Sequence, residues 1–152
     1  KKFSSNYHNE KLLIIGEGEM KNHIKKRIKK ENLSNSIILL NQTDNVYYFM
    51  RKAKAFILPS LWEEVGFVIV EASISNLPLI SSNCKNGPKE FLSNGKAGLL
   101  FENNKPNELN NSLNKFMKLN AQEIFTKKIL AKKNAIKFTM FRHQNLLKKF
   151  LI

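Results

Sequence analysis

The sequence predicts an α/β fold, a doubly wound, Rossmann-like parallel sheet followed by C-terminal helices. Short apolar runs of strand length recur along the chain, around residues 11–16, 36–40, 55–60, 79–82 and 98–101. Between them lie segments with helical spacing, and Gly, Pro or Asn marks most of the joints. Strands alternating with helices build a parallel sheet covered on both faces, and right-handed crossovers wind it.

The elements follow in order. Lys11-Leu12-Leu13-Ile14-Ile15-Gly16 reads as a buried parallel strand. From Glu17 to about Leu33 the spacing is helical, with Met20, Ile24, Ile28 and Leu33 near one face and Lys on the other. Ser36-Ile37-Ile38-Leu39-Leu40 is a second strand, and Asp44 or Asn45 suits the cap of a short helix through about Ala53. Ala55-Phe56-Ile57-Leu58-Pro59-Ser60 is a third strand, stopped by Pro. A helix over about 66–75 leads to strand Leu79-Ile80-Ser81-Ser82. Gly87-Pro88 opens a further short helix, with Pro near its first position. Gly98-Leu99-Leu100-Phe101 is the fifth strand, 106–119 a helix, and 121–150 one or two basic helices. These divide the chain into 1–10, the end of an upstream helix or a linker, 11–120, the Rossmann-like domain, and 121–152, the basic helices.

The 152 residues suit one domain with a helical tail, and 42% apolar residues suffice for a core. No apolar run reaches the roughly 18 residues that span a bilayer, and no signal-peptide pattern opens the chain. The start, Lys1-Lys2-Phe3-Ser4, has no Met and reads as an internal cut. One cysteine, Cys84, excludes an internal disulfide and argues against a cysteine metal site. A cytoplasmic setting fits. The net charge is +14, from 26 Lys+Arg against 12 Asp+Glu, but only Arg27, Arg51 and Arg142 are Arg. Lys beside abundant Asn suggests the composition of an AT-rich genome. A nucleic-acid surface would use Arg forks interleaved with aromatics, so no nucleic-acid partner is expected. Residues 1–60 hold 12 basic and 5 acidic groups, 61–114 hold 4 and 6, and 115–152 hold 10 and 1. Carboxylates gather in the middle.

In a doubly wound sheet, ligands bind at the carboxyl ends of the strands. The segment Pro59-Ser60-Leu61-Trp62-Glu63-Glu64-Val65-Gly66-Phe67-Val68-Ile69-Val70-Glu71-Ala72 puts Glu63 in such a loop, Gly66 at a helix start and Glu71 inside the helix. A helix N-terminus attracts phosphate, and a carboxylate accepts hydrogen bonds from two hydroxyls of a sugar or ribose. The pattern suits a sugar joined to a phosphate. It also suits a helix whose early Glu side chains merely offset its dipole.

The Glu63-x7-Glu71 spacing, with Pro59-Ser60 ahead and Ala72 behind, resembles the signature of retaining glycosyltransferases of family 4. Other segments are similar to that family in order: Leu13-Ile14-Ile15-Gly16-Glu17-Gly18-Glu19, Asn45-Val46-Tyr47-Tyr48-Phe49-Met50 with Ala53, Leu77-Pro78-Leu79-Ile80-Ser81-Ser82-Asn83, Gly87-Pro88-x-Glu90, and Asn94-Gly95-x-x-Gly98-Leu99-Leu100. The resemblance runs from about Lys11 to Leu119. It implies one half of a two-domain, B-type enzyme that moves a sugar from a nucleotide-sugar to a glycan or lipid-linked acceptor with retention, with no metal and no cofactor besides the donor. It implies that Glu63 meets the donor sugar, that Glu71 holds the ribose, and that backbone N–H groups of Val65, Gly66 and Phe67 face sugar or diphosphate. Gly16 and Gly18 would line the diphosphate cleft. The stretch from Leu40 through Asn41 to Thr43 would meet the base, although the family's loop begins with Gly where Asn41 stands. Glu90 matches a recurrent family Glu and also occupies a helix-capping position. The resemblance further implies an acceptor domain, and an opening strand with an Arg/Lys clamp, that nothing in this sequence matches.

His8, His23 and His143 fit no metal spacing, and Cys84 reads as incidental. Tyr47, Tyr48, Phe49 and Met50 read as core and cleft wall. Phe125, Ile129, Leu130, Ile136, Met140, Leu146 and Leu147 mark an apolar side among Lys in the tail. That side suits docking onto the acceptor domain or contact with an anionic membrane at its inner face. The alternatives to an enzyme part are a nucleotide-sugar binding module inactive alone, and a basic nucleic-acid or membrane-surface protein.

Overall fold

The computed structural model describes residues 2–64, 66–138, 144, 145, 147 and 148. Two compact units make up the chain, Lys1–Val46 and Tyr47–Ile152.

The first unit opens with α1 (Lys2–Asn6), followed by β1 (Leu12–Ile15), α2 (Lys21–Lys30) and β2 (Ile37–Leu40). The strands pair in parallel, with Leu12 beside Ile37 and Ile15 beside Leu40. Helix α2 starts four residues later than the apolar spacing predicts. Gly16 and Gly18 adopt φ of +152° and +146°, which breaks helical progression ahead of it.

The second unit holds α3 (Val46–Lys52, beginning at the unit boundary), β3 (Phe56–Leu58), α4 (Phe67–Ile74), β4 (Leu79–Ser82), α5 (Pro88–Phe91), β5 (Leu99–Phe101), α6 (Pro106–Lys118) and α7 (Ala121–Ala135). A 3₁₀ turn, Ile136–Phe138, closes α7. The sheet is parallel with order β3-β4-β5. Phe56 pairs with Leu79, and Ile80 with Leu99. All four residues of β4 are buried, as a central strand covered on both faces requires.

The α/β class holds, with a difference in pairing. The strands form two parallel ladders, β1-β2 and β3-β4-β5, rather than one described sheet.

Ile80, Leu99 and Phe101 form a core cluster, with Leu109, Leu113, Phe116 and Leu119 packed against it. On α7 the buried residues are Ala131, Asn134 and Ala135, whereas Phe125 and Ile129, and Ile136 in the closing turn, are exposed. Small side chains let this helix pack close on α4 and α5, and Asn134 Nδ2 donates to Phe91 O at 2.6 Å. A reciprocal capping box, Asn120 with Glu123, starts α7. Lys127 Nζ donates to the Gly95 and Gly98 carbonyls at 2.9 and 3.3 Å. Burial lowers its pKa first, and Lys115 lowers it further. Of the aromatic run before β3, Met50 is buried but Tyr47 and Tyr48 are exposed. Met140, His143 and Leu146 lie outside the described residues. No helix among the described residues is long and apolar enough to cross a membrane.

Candidate functional site

β3 ends at Leu58, and Pro59 prevents the ladder from continuing. The chain then turns through Ser60 to Glu63 before α4 begins. Ser60 Oγ donates to Glu63 Oε1 at 2.6 Å, which fixes the half-buried carboxylate. Its other oxygen lies 3.7 Å from where a Cβ on Gly66 would sit.

Gly66 caps α4 with φ +63° and ψ +49°, a left-handed conformation that favours glycine. It brings no capping side chain. The first helical bond runs from Ile69 N to Gly66 O, so the N–H groups of Phe67 and Val68 precede the ladder. Those N–H groups and the helix dipole make this mouth receptive to an anion. Glu71 lies one turn beyond Phe67 on the same helix, half-buried, with no ion pair among the described residues. Leu61, Trp62 and Phe67 form an exposed apolar lip, each at least 60% accessible.

Glu63, Gly66, Phe67 and Glu71 therefore gather at one helix mouth on the carboxyl edge of β3-β4-β5. Val65 lies outside the described residues. Glu90 sits in the first turn of α5, exposed and without a side-chain cap at Gly87. In the first unit, Gly16 and Gly18 follow β1, and a Cβ on either would meet nothing within 4 Å. Open backbone of this kind admits a ligand closely. Asn41 Oδ1 accepts from Lys21 Nζ, and Lys21 also lies 3.9 Å from Glu17. Thr43 Oγ1 accepts from Asn45 N–H at 3.2 Å. Among the described residues no group of three or more His, Cys, Asp or Glu is placed to hold a metal.

The sequence pattern of the family described as glycosyl transferases group 1 matches residues 1–137. The chain belongs to the group 1 glycosyltransferases. An uncharacterized glycosyltransferase of Methanocaldococcus jannaschii is 41% identical over 92 residues, 60% of this chain and 23% of that protein. A UDP-Gal:alpha-D-GlcNAc-diphosphoundecaprenol alpha-1,3-galactosyltransferase of Escherichia coli is 33% identical over 103 residues, 67% of this chain and 26% of that protein. A crystal structure of a mutant Staphylococcus aureus TarM in complex with Fondaparinux, alpha-GlcNAc-glycerol and UDP superposes with a TM-score of 0.86 at 26% identity. That superposition covers 98% of this chain and 30% of TarM. The fold is that of the B-type glycosyltransferases, and these matches span about a quarter to a third of the relatives' lengths.

As a group 1 glycosyltransferase domain, the chain carries supports for its helix mouth that the motif alone does not reveal. Ser82 Oγ donates to Ser60 O at 2.6 Å. Asn103 Nδ2 donates to Leu61 O at 2.7 Å. Asn83 Oδ1 accepts from Asn103 N–H at 2.9 Å. Asn83 falls within the loop the carboxyl-end rule picks out. Applied to β5, the same rule would have reached Asn103.

Proposed function

We propose that this chain is the donor-binding domain of a retaining, family 4 glycosyltransferase. The substrate is a nucleotide-diphosphate sugar, and the acceptor is a glycan or a lipid-linked sugar. The carrying observation is the Glu63 carboxylate, held by Ser60 against left-handed Gly66 at the open N-terminus of α4, with Glu71, which makes no ion pair among the described residues, on the same helix. Family membership and the UDP-bound TarM neighbour support the same reading.

In this reading Glu63 accepts hydrogen bonds from the donor sugar's hydroxyls and Glu71 from the ribose diol. The N–H groups at Gly66 and Phe67 face the diphosphate, where negative charge grows as the sugar departs. The Gly16-x-Gly18 turn lines the diphosphate, Asn41 and Thr43 lie by the base, and Glu90 contributes to the donor side. The acceptor oxygen forms its bond to the anomeric carbon on the face from which the diphosphate leaves, and the departing phosphate takes the acceptor's proton. Glu63 and Glu71 are not a glycosidase acid and nucleophile pair. No metal and no cofactor besides the donor take part. The acceptor domain is a separate part of the enzyme. The exposed Phe125, Ile129 and Ile136 side of the tail docks there or on an anionic membrane at its cytoplasmic face.

Calorimetric titration of the intact protein with UDP, GDP, ADP and their sugar conjugates tests this. Binding to one base is expected, weakened about tenfold or more by Glu71→Gln, as loss of a charge-assisted hydrogen bond predicts. Unchanged donor affinity in the Glu63→Gln, Glu71→Gln double variant would overturn the assignment. Donor binding with no transfer to any acceptor would instead mark a nucleotide-sugar binding module.

A further inference from the structure

Glu63 is held by more than its neighbour. Two successive carbonyls of its loop are each gripped by a side chain from another strand end. Ser82 Oγ, at the end of β4, holds Ser60 O. Asn103 Nδ2, two residues past β5, holds Leu61 O across 42 positions of sequence. Because β4 lies between β3 and β5, the Asn103 amide reaches over the end of the central strand. Asn103 is itself anchored through Asn83. Its N–H donates to Asn83 Oδ1 at 2.9 Å, and Asn83 N–H donates to Phe101 O at 2.9 Å. The Asn103 Oδ1 atom is buried with no hydrogen-bond partner among the described residues, so the bond to Leu61 O is the described hydrogen bond that orients this side chain.

We infer that Asn103 is a positioning residue for Glu63: its amide fixes the Leu61 carbonyl, and with it the direction in which Trp62 and Glu63 leave the turn. This deepens the proposed function and rests on it. Ser60 alone ties Glu63 only to its own loop, and the loop must be fixed to the sheet before the carboxylate has a fixed place. Ser82 and Asn103 supply that attachment at adjacent peptides. Catalytic groups lose rate steeply when displaced, because the interactions made at the transition state depend on geometry. Nucleotide held by Glu71 depends on α4 rather than on this clamp.

The test uses the intact enzyme and Asn103→Asp, which keeps the shape and turns a donor toward Leu61 O into an acceptor. Transfer kcat is expected to fall about tenfold or more, the effect of leaving a hydrogen-bonding group unpaired. Affinity for the sugar-free nucleoside diphosphate is expected to stay within about threefold, a change near RT. On a Glu63→Gln background, Asn103→Asp should add little, since both act on one element. Asn83→Ala, which removes only the acceptor for Asn103 N–H, should show the same split more weakly, and Asn83→Asp should restore transfer. This pair decides the matter if Asn103→Asp does not fold. Equal loss of sugar-donor and nucleotide affinity, full additivity with Glu63→Gln, or wild-type transfer would overturn the inference. A wild-type protein that binds no nucleotide-sugar, or a Glu63→Gln enzyme with unchanged transfer, would instead overturn the parent reading.

Discussion

Ile38 in β2 and Ile80 in β4 occupy the same place, second in a four-residue parallel strand, yet Ile38 is 42% exposed and Ile80 fully buried. β4 is paired on both sides, Ile80 lying between Ile57 and Leu99, and α4, α5 and α6 pack on it. Among the described residues β2 pairs only with β1. No described residue before Met50 is fully buried, whereas the second unit carries the whole described core. Apolar composition specifies a strand, but burial comes from its neighbours. A two-stranded parallel ladder has little of its own to bury against. The second unit can therefore hold side chains to the tolerance a binding site needs, while the first offers open backbone at Gly16 and Gly18.

Truncating the paired isoleucines tests this most strongly. Ile80→Ala should cost about 4 kcal/mol, as a fully buried branched side chain does. Ile38→Ala should cost about 1 kcal/mol, since much of its surface already meets water. Denaturant unfolding followed by amide exchange within each ladder reads both, and equal losses would break the comparison. The glycines sharpen it at smaller scale. A Cβ on Gly98 would stand 2.8 Å from Leu79 O and 2.9 Å from Leu92 Cδ2. Gly98→Ala should cost about 2 kcal/mol through overpacking. Gly16→Ala meets nothing within 4 Å, so only its φ of +152° opposes the change, at about 1 kcal/mol. The smallest effect concerns protons. Burial holds the Lys127 pKa below 10.5 in the folded chain. Between the lowered value and 10.5 the unfolded chain binds the extra proton, so stability should rise with pH through that window. Lys127→Met should flatten that rise in thermal unfolding scans taken at successive pH.

Much of this architecture is readable from residues alone. Pro78 ahead of Leu79-Ile80-Ser81-Ser82 bounds β4 where the sequence places it, and the strand ends elsewhere fall within about two residues of expectation. The Glu63 and Glu71 arrangement is local, because a strand exit, a glycine and one helix set its geometry. The Ser60 to Glu63 bond is local too, but nothing in composition distinguishes it from a solvated serine. The Asn103 clamp spans 42 positions and depends on strand order, which periodicity does not encode. The tail shows the same limit. Its large apolar residues mark a side open for docking, but which side packs within the unit is set by close approach to α4 and α5, which selects Ala131, Asn134 and Ala135. The split into two ladders is invisible in the strand runs themselves, which are equally apolar in β1 and β5.

Among the described residues six non-glycine residues adopt positive φ, and Asn32, Asn76, Asn86, Asn94 and Asn104 are five of them. Asparagine tolerates that conformation at modest cost, so a chain rich in Asn closes its turns with few glycines. Asn86 and Asn94 are each followed by glycine. An Asn-Gly step is where a backbone nitrogen most readily attacks the side-chain amide, expelling ammonia to form a succinimide that water then opens to aspartate or isoaspartate. The turns flanking α5 thus carry a slow chemical clock: each event adds a negative charge beside the helix that follows β4, and isoaspartate lengthens the main chain by one carbon. An aged preparation of this protein will be more acidic than its sequence states, and its oldest molecules will differ first at these two bends.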